Sequence, residues 1–182
     1  EHLLFKGNER MGTLDYAAEK PYLDQIVELY EQHFRTTDPA ERAAIYAEIN
    51  RVAQLAAQYA IPNEIDKVYN SMGAGGLNAH TSYEETVYKV GLPSNRLEQW
   101  AEIESDRFVD PVFRLFHTEL ETVYEELNRS LDNPGRVILY ATDELLYKQH
   151  PYGQQPTIGI PEHLKNPSLV FIQQYFDTYY VP

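Results

Sequence analysis

The amino-acid sequence predicts an α+β fold that is mostly helical and carries one short antiparallel pair of strands. Apolar residues recur at helical spacing through residues 16–74 and again after residue 93. Between these regions, residues 77–82 and 86–90 are rich in β-branched and aromatic side chains and are separated by a polar turn. A chain of 182 residues with these elements is expected to form one domain with a buried core.

Helices are predicted through most of the first 74 residues. The clearest helix start is at Asp38, an N-cap residue that is followed by Pro39 at the first helical position and by Glu41, which completes a capping box. Proline is favoured at that position because its missing amide hydrogen is not needed in the first turn. The predicted helical segments of this region are 1–6, which ends at Gly7, and 22–34, 38–59 and 63–72.

The sequence changes character at Gly73-Ala74-Gly75-Gly76, which predicts a flexible joint. This run lacks the lysine and the serine or threonine of a phosphate-binding loop, so it does not indicate a nucleotide site. Beyond the strand pair, helices are predicted at 94–108, 113–131, 136–147 and 168–178. The helix at 113–131 is expected to bury an apolar stripe, formed by Phe116, Leu120, Val123, Leu127 and Leu131.

Composition excludes several classes of function. The 28 acidic residues against 15 Lys and Arg give a net charge of -13, and no basic cluster reverses it, so nucleic acid is not an expected partner. No apolar run approaches the ~20 residues of a membrane span. Cysteine is absent, which excludes disulfides, thiolate metal sites and a cysteine nucleophile.

Two groups of residues have side chains suited to metal chemistry. Glu1 and His2 are adjacent in the predicted helix end at 1–6, and Glu119 and Glu126 lie two turns apart on one face of another helix. A carboxylate beside a core stripe costs desolvation energy unless a positive group meets it. On spacing alone, an ordinary helix end and a solvated acidic face are the favoured interpretations of these residues.

The remaining histidines do not predict a metal site. His80, His117 and His150 have no partner at the spacing of a helical metal site and are expected to be structural or surface residues. His80 is the one expected nearest to a substrate. A catalytic triad of Ser82, His80 and Asp106 is not supported, because the sequence contains no nucleophile elbow.

The order of several blocks along the chain resembles the insulinase/pitrilysin family. These metallopeptidases, the inverzincins, carry H-x-x-E-H in a helix, and Glu1-His2 matches its second half. The resemblance covers about residues 1–6 and 77–182. The other matching blocks are Asn78-Ala79-His80-Thr81-Ser82, Thr86-Val87-Tyr88, the helix end 104–108, the segment 119–126, His150-Pro151-Tyr152-Gly153, Thr157-Ile158-Gly159, and the closing block from Tyr175 to Pro182.

This resemblance implies a role for each matching residue. Glu1 is expected to be the general base that takes a proton from a zinc-bound water, and His2 and Glu126 are expected to be zinc ligands. Glu119 is expected to be a supporting acidic residue near the metal. Glu125 is the alternative zinc ligand. Glu126 is preferred because Glu126 shares a helix face with Glu119.

The resemblance also implies how the chain is organised. Residues 1–182 are expected to be part of an insulinase-type, metallohydrolase-like domain, with a helical insertion at about 14–74. The strand residues Asn78, Ala79, His80, Thr81 and Ser82 are expected to pair with an extended peptide. The first motif histidine would lie three residues before Glu1, so the chain by itself is expected to bind zinc weakly or not at all and to be inactive.

The resemblance implies a zinc endopeptidase that acts on a peptide or small protein. A second homologous half-domain or a partner subunit is expected to complete it. Two other functions stay open at this point: a catalytically silent structural or peptide-binding subunit of the same fold, and a plain helical interaction module. The helical module explains residues 14–74 but not the ordered blocks that follow.

Overall fold

The structure, a computed structural model, describes residues 1–181, so Pro182 of the closing block lies outside the described residues. It confirms a mostly helical α+β fold with a two-stranded antiparallel sheet. The helices are α1 (Tyr16–Arg35), α2 (Pro39–Ala57), α3 (Glu64–Ser71), α4 (Leu97–Val109), α5 (Phe116–Leu131), α6 (Pro134–Leu146), α7 (Pro161–Leu164) and α8 (Leu169–Tyr179). The strands are β1 (Gly75–Thr81) and β2 (Thr86–Gly91), and 3-10 helices lie at His2–Phe5, Ser94–Arg96 and Pro151–Gly153.

Helices α1 and α2 form an antiparallel hairpin, and α2 begins at the predicted cap residue, Asp38. The side chain of Asp38 accepts a hydrogen bond from the backbone N–H of Glu41 over 2.8 Å, as the capping signal predicts. Helix α2 buries Ile49, Val52 and Ala56, whereas Ala43, Ala44 and Ala47 are exposed. Burial of the larger side chains Ile49 and Val52 removes more apolar surface from water than burial of an alanine would.

The main core joins the hairpin to the later helices. Its buried members are Ile26, Tyr30, Ile49, Val52, Ala56, Phe116 of α5 and Leu169 of α8. A second, smaller core under the sheet contains Ile65, Tyr69 and Ala74, with Trp100 and Ile103 of α4 packed against it. The segment 14–74, predicted as an insertion, thus shares its core with α5 and α8.

The two strands pair antiparallel with one register shift, between Gly75 and Asn78, and both outer edges of the sheet lack a strand partner within the described residues. Ala79 pairs with Tyr88 and Thr81 with Thr86, and the turn between the strands closes with a hydrogen bond from the N–H of Ser82 to the carbonyl of Glu85. Within residues 1–181 no third strand pairs with the sheet, so β1 exposes its outer edge. The described helices include none that is both long enough and apolar enough to cross a bilayer.

Three sequence predictions about the elements are wrong in detail. Residues 1–6 form a single 3-10 turn rather than an α-helix end, with a hydrogen bond from the N–H of Leu4 to the carbonyl of Glu1, as short helical pieces commonly do. Helix α5 begins at Phe116 rather than at residue 113, because Leu115 has a left-handed backbone with φ of 56°. Leu131, at the last turn of the expected buried stripe, is 44% exposed.

Candidate metal centre

The first helical turn of the chain lies against the predicted acidic face of α5. His2 Nδ1 is 3.1 Å from Glu119 Oε2, and His2 Nε2 is 3.7 Å from Glu126 Oε2. The structure therefore brings together three of the predicted site residues. Glu126, and not its neighbour Glu125, is the carboxylate that faces the histidine.

Glu119 fixes which nitrogen of His2 is available to a ligand. An ionised carboxylate only accepts hydrogen bonds, so Nδ1 must donate to it. The lone pair of the neutral imidazole then lies on Nε2, the atom that points at Glu126. A ligating histidine that donates its other N–H to a carboxylate is a common arrangement at zinc sites.

The spacing between His2 and Glu126 fits a shared ion better than a hydrogen bond. A separation of 3.7 Å is too long for a direct hydrogen bond. Two ligands of a tetrahedral zinc ion, each about 2.0–2.1 Å from the metal, stand about 3.3 Å apart. The pair therefore fits two positions of such an ion, although residues 1–181 contain no cluster of three or more metal-ligating side chains.

The charges around Glu119 keep it ionised. Partial burial by itself would raise the pKa of this carboxyl, but the hydrogen bonds from His2 and Lys6, together with the charge of Lys6, more than offset that and leave the pKa below its usual value. The Lys6 ammonium is 2.6 Å from Glu119 Oε1. In turn the hydrogen bond to Glu119 raises the pKa of His2, burial opposes it, and the charge of Glu126 adds to the increase.

A buried arginine that sequence inspection missed holds the segment after the first turn in place. The guanidinium of Arg114 donates to the carbonyl oxygens of Lys6, Asn8 and Met11 over 2.6–2.9 Å and to the carboxylate of Glu19 over 3.0 Å. Arg114 and Glu19 are each 1% exposed at the side chain. Their ion pair therefore joins residues 6–11 to helix α1 and to the start of α5.

Gly7, predicted to end the first helical segment, has a left-handed backbone conformation. Its φ is +86°, and a Cβ atom there would lie 2.1 Å from the carbonyl oxygen of Met11. No other residue type fits that close approach without moving the backbone. The one sequence feature that could have indicated a buried ion pair beside residues 6–11 is the position of the charged Arg114 between two apolar residues, Phe113 and Leu115.

An aromatic cluster packs against Phe5, the last residue of the first turn. The guanidinium of Arg107 lies 5.0 Å from the ring centres of Phe5 and Tyr88 and 5.1 Å from that of Phe108. The Tyr88 hydroxyl donates to the carbonyl oxygen of Glu1 over 3.3 Å. Strand β2 thus contacts the backbone of the residue predicted as the general base.

The predicted substrate strand has only one residue in the site cavity. Glu1, His2, Glu119, Glu126 and Thr81 line a single cavity of about 1080 Å³. The other four strand residues do not line it: Asn78, His80 and Ser82 are exposed, and Ala79 is partly buried. The Ser82 hydroxyl instead accepts hydrogen bonds from the backbone of the turn, at Glu84 and Glu85.

Of the other histidines, His80, His117 and His150 do not line the cavity that contains His2, whereas His163 does. His117 is buried and bonds to the hydroxyl of Tyr30 over 2.8 Å. His150 caps the 3-10 helix at Pro151–Gly153, and His80 is exposed on β1 opposite Val87.

Comparison with known proteins gives two findings. Residues 49–157, more than half of the chain, match the sequence model of the family described as insulinase (peptidase family M16). Over 163 residues the chain is also 22% identical to a protein of Rickettsia felis named as an uncharacterized zinc protease. That alignment covers 88% of this chain and 39% of the relative, so the chain spans about two fifths of the relative's length.

Proposed function

Because this chain belongs to the insulinase family, peptidase family M16, we propose that it is part of a zinc-dependent endopeptidase. The observation that carries this proposal is the position of His2, which faces Glu126 across 3.7 Å with one ring nitrogen and bonds to Glu119 with the other. The reaction is the hydrolysis of a peptide bond by an activated water molecule.

Each residue of the site has a distinct part in this proposal. His2 Nε2 and the carboxylate of Glu126 would hold a zinc ion, and a histidine three positions before Glu1 would supply a third ligand. Zinc bound there would acidify a water molecule, so that hydroxide is available near neutral pH. Glu1 accepts the proton of the attacking water and then delivers it to the departing amine.

Glu119 and Lys6 position the histidine rather than touch the reacting atoms. Glu119 holds the Nδ1–H of His2 and so keeps the ring oriented with Nε2 toward Glu126. Lys6 occupies the second oxygen of the same carboxylate and stabilises its negative charge. Burial of this carboxylate, whose side chain is 15% exposed, makes the lysine more effective than an exposed cation would be.

The open edge of β1 provides a place for the peptide backbone. The outer edge has no strand partner within the described residues, and Thr81 at its end lines the cavity that contains Glu1 and His2. An extended peptide added to this edge would be held by main-chain hydrogen bonds, which are independent of its sequence. Its scissile bond would then lie beside Glu1.

Two features of the wider protein belong to the same proposal. A second homologous half-domain or a partner subunit completes the enzyme, since this chain spans about two fifths of the relative it matches. The segment 14–74 is proposed as a helical insertion that packs against the site, although its last part, 49–74, also lies within the family match. Its Glu19 is the buried partner of Arg114, and its Tyr30 is the hydrogen-bond partner of His117.

A silent subunit of the same fold is the alternative. The observation in its favour is the open outer edge of β1, which would serve peptide binding without hydrolysis equally well. The residue three positions before Glu1 separates the two functions. A histidine there supports the peptidase, and any other residue supports a structural or peptide-binding subunit.

The experiment that tests the proposal uses the full-length protein and its Glu1→Gln variant. The parent is expected to contain one zinc ion and to hydrolyse a fluorogenic peptide. The variant is expected to keep the zinc and lose at least about 100-fold in kcat, because general base catalysis contributes factors of this size. A variant that cleaves as fast as the parent would show that Glu1 is not the base.

A further inference from the structure

Two arginines line the same cavity as the candidate metal centre. Arg129 lies on α5, three residues after Glu126, and Arg136 lies in the first turn of α6. Both side chains are exposed, and both contribute to the wall of the 1080 Å³ cavity that also contains Glu1 and His2. A group bound at the metal centre would therefore share its cavity with two guanidinium groups.

The backbone positions of these arginines are fixed relative to Glu126. The hydroxyls of Ser130 on α5 and Tyr140 on α6 are hydrogen-bonded over 3.0 Å, which ties the two helices together. The side chain of Asn133 accepts a hydrogen bond from the N–H of Gly135 over 2.9 Å and so sets the start of α6. Because the start of α6 also carries a partial positive charge, it adds to the field of Arg136.

Neither arginine has a carboxylate partner, although the chain has an excess of acid. Among residues 1–181, no Asp or Glu oxygen lies within 4.0 Å of Arg129 or Arg136, whereas five other arginines do have such a partner: Arg10, Arg35, Arg51, Arg107 and Arg114. The nearby acids are already occupied. Glu119 is bound by His2 and Lys6, and Glu126 faces His2.

We propose that Arg129 and Arg136 bind a carboxylate of the peptide substrate close to the bond that is cleaved. This inference rests on the proposed peptidase function and names the class of substrate. The planar guanidinium presents paired donors that match the two oxygens of a carboxylate, which makes arginine better suited than lysine to such a group. The carboxylate comes either from an Asp or Glu side chain or from the free C-terminus of a short peptide.

Exposure limits the size of the effect. Both guanidinium groups are accessible to water and salt, so each contributes less than a buried ion pair would. A preference of about tenfold for a carboxylate over its amide is the expected result for two charge-assisted hydrogen-bonding groups of this kind. The preference is expected to fall as NaCl is added.

The test measures kcat/KM of the full-length protein on matched fluorogenic peptides. One series exchanges Glu for Gln at each position in turn, and a second compares a free C-terminal acid with its amide. The parent is expected to prefer the acid at one position about tenfold, and the position identifies the source of the carboxylate. The double variant Arg129→Gln/Arg136→Gln is expected to reduce that ratio to about 1–2.

A matched control removes an arginine far from the cavity. Arg51 lies on α2, where it pairs with Glu48 over 2.6 Å, and Arg51→Gln is expected to keep the parental ratio. The inference is overturned if the parent shows no preference for any acid, or if the double variant keeps the preference.

Binding by the Glu1→Gln variant separates this inference from the proposed function. Fluorescence anisotropy with labelled Glu and Gln peptides measures the preference without hydrolysis. If the parent cleaves nothing but Glu1→Gln binds the acid peptide about tenfold tighter, and loses that preference with the two arginines, the inference holds and the peptidase function fails. Equal binding of the two peptides, or no binding, overturns the inference.

Discussion

Glu119 accepts a hydrogen bond from His2 Nδ1 over 3.1 Å, although the two residues are 117 positions apart in the chain. The contact orients the imidazole so that Nε2 faces Glu126. The same carboxylate binds Lys6, so both ends of the first helical turn are attached to one residue of α5. The proposed metal site therefore depends on the docking of this turn.

The first prediction concerns Glu119 and Lys6. Glu119→Gln weakens the acceptor for the Nδ1–H of His2 and is expected to reduce zinc affinity of the full-length protein about 10-fold, as loss of a carboxylate behind a ligand typically does. Lys6→Met leaves the acceptor in place and is expected to cost less, about threefold. Competition with a chelator measures both affinities. A larger loss for Lys6→Met than for Glu119→Gln would contradict these roles.

The second prediction separates Glu126 from its neighbour. Glu126→Gln removes a proposed ligand and is expected to lower zinc affinity of the full-length protein at least about 100-fold, more than loss of a supporting residue. Glu125→Gln removes the adjacent charge of the same helix and is expected to leave the affinity within about threefold, since an exposed charge contributes little. The reverse order of effects would identify Glu125 as the ligand.

The third prediction concerns the 182-residue chain by itself. It brings two ligands together rather than three, so titration calorimetry is expected to show zinc binding at least about 100-fold weaker than in the full-length protein. Tight binding of one zinc ion per chain would mean that the described residues supply a complete site.

The fourth prediction concerns the buried ion pair. Glu19→Gln leaves the guanidinium of Arg114 buried beside a neutral amide, and is expected to lower the free energy of unfolding by about 3 kcal/mol. Lys20→Gln changes the next residue, whose ion pair with Asp24 is exposed to solvent, and is expected to lower the free energy of unfolding much less than Glu19→Gln does. Urea unfolding compares the two variants. Equal losses would mean that the buried pair does not hold the loop.

The fifth prediction is a pH dependence of stability. Burial lowers the pKa of His33 and of His117, while Glu121, 3.8 Å from His117, acts in the opposite direction. In the unfolded chain these two histidines take up protons that they do not bind in the folded chain. Their contribution to stability is therefore fully present above pH ~6.5 and falls as the pH decreases below it, by up to about 1.4 kcal/mol per pH unit for each proton. His2, whose pKa is raised by the hydrogen bond to Glu119, contributes in the opposite direction and reduces the net slope. Urea midpoints between pH 5 and 8 measure this.

Matched histidine variants test the cause of that dependence. His117→Gln removes one buried imidazole and is expected to reduce the slope below pH ~6.5. His80→Gln removes an exposed histidine of β1 and is expected to leave the slope as in the parent. If both variants behave alike, burial of His117 is not the source of the slope.

The elements that the sequence predicted well are those with a local cause. The cap at Asp38 and the turn between the strands depend on residues only a few positions apart. The two-turn spacing of Glu119 and Glu126 is likewise a property of one helix. The 3-10 form of the first turn and the late start of α5 at Leu115 depend on how distant segments fit together, so residue patterns could not predict them.

The candidate site was predictable only in part for the same reason. His2 and the two glutamates were identified from the resemblance and from helix periodicity. Arg114 was missed because its partners are three backbone carbonyls and Glu19, and carbonyl groups carry no sequence signal. Lys6 was missed because a lysine near a helix end usually points into solvent.

The long sequence separation of these contacts has a consequence for synthesis of the protein. Arg114 is 108 residues after Lys6, and translation at 5–20 residues per second takes roughly 5–20 s to cover that distance. The α1–α2 hairpin, by contrast, contains mostly local contacts and is complete much earlier. On the ribosome, residues 2–6 therefore cannot dock until α5 has been made, whereas the two helices of the hairpin can contact each other before that, and the proposed metal site cannot assemble earlier than α5.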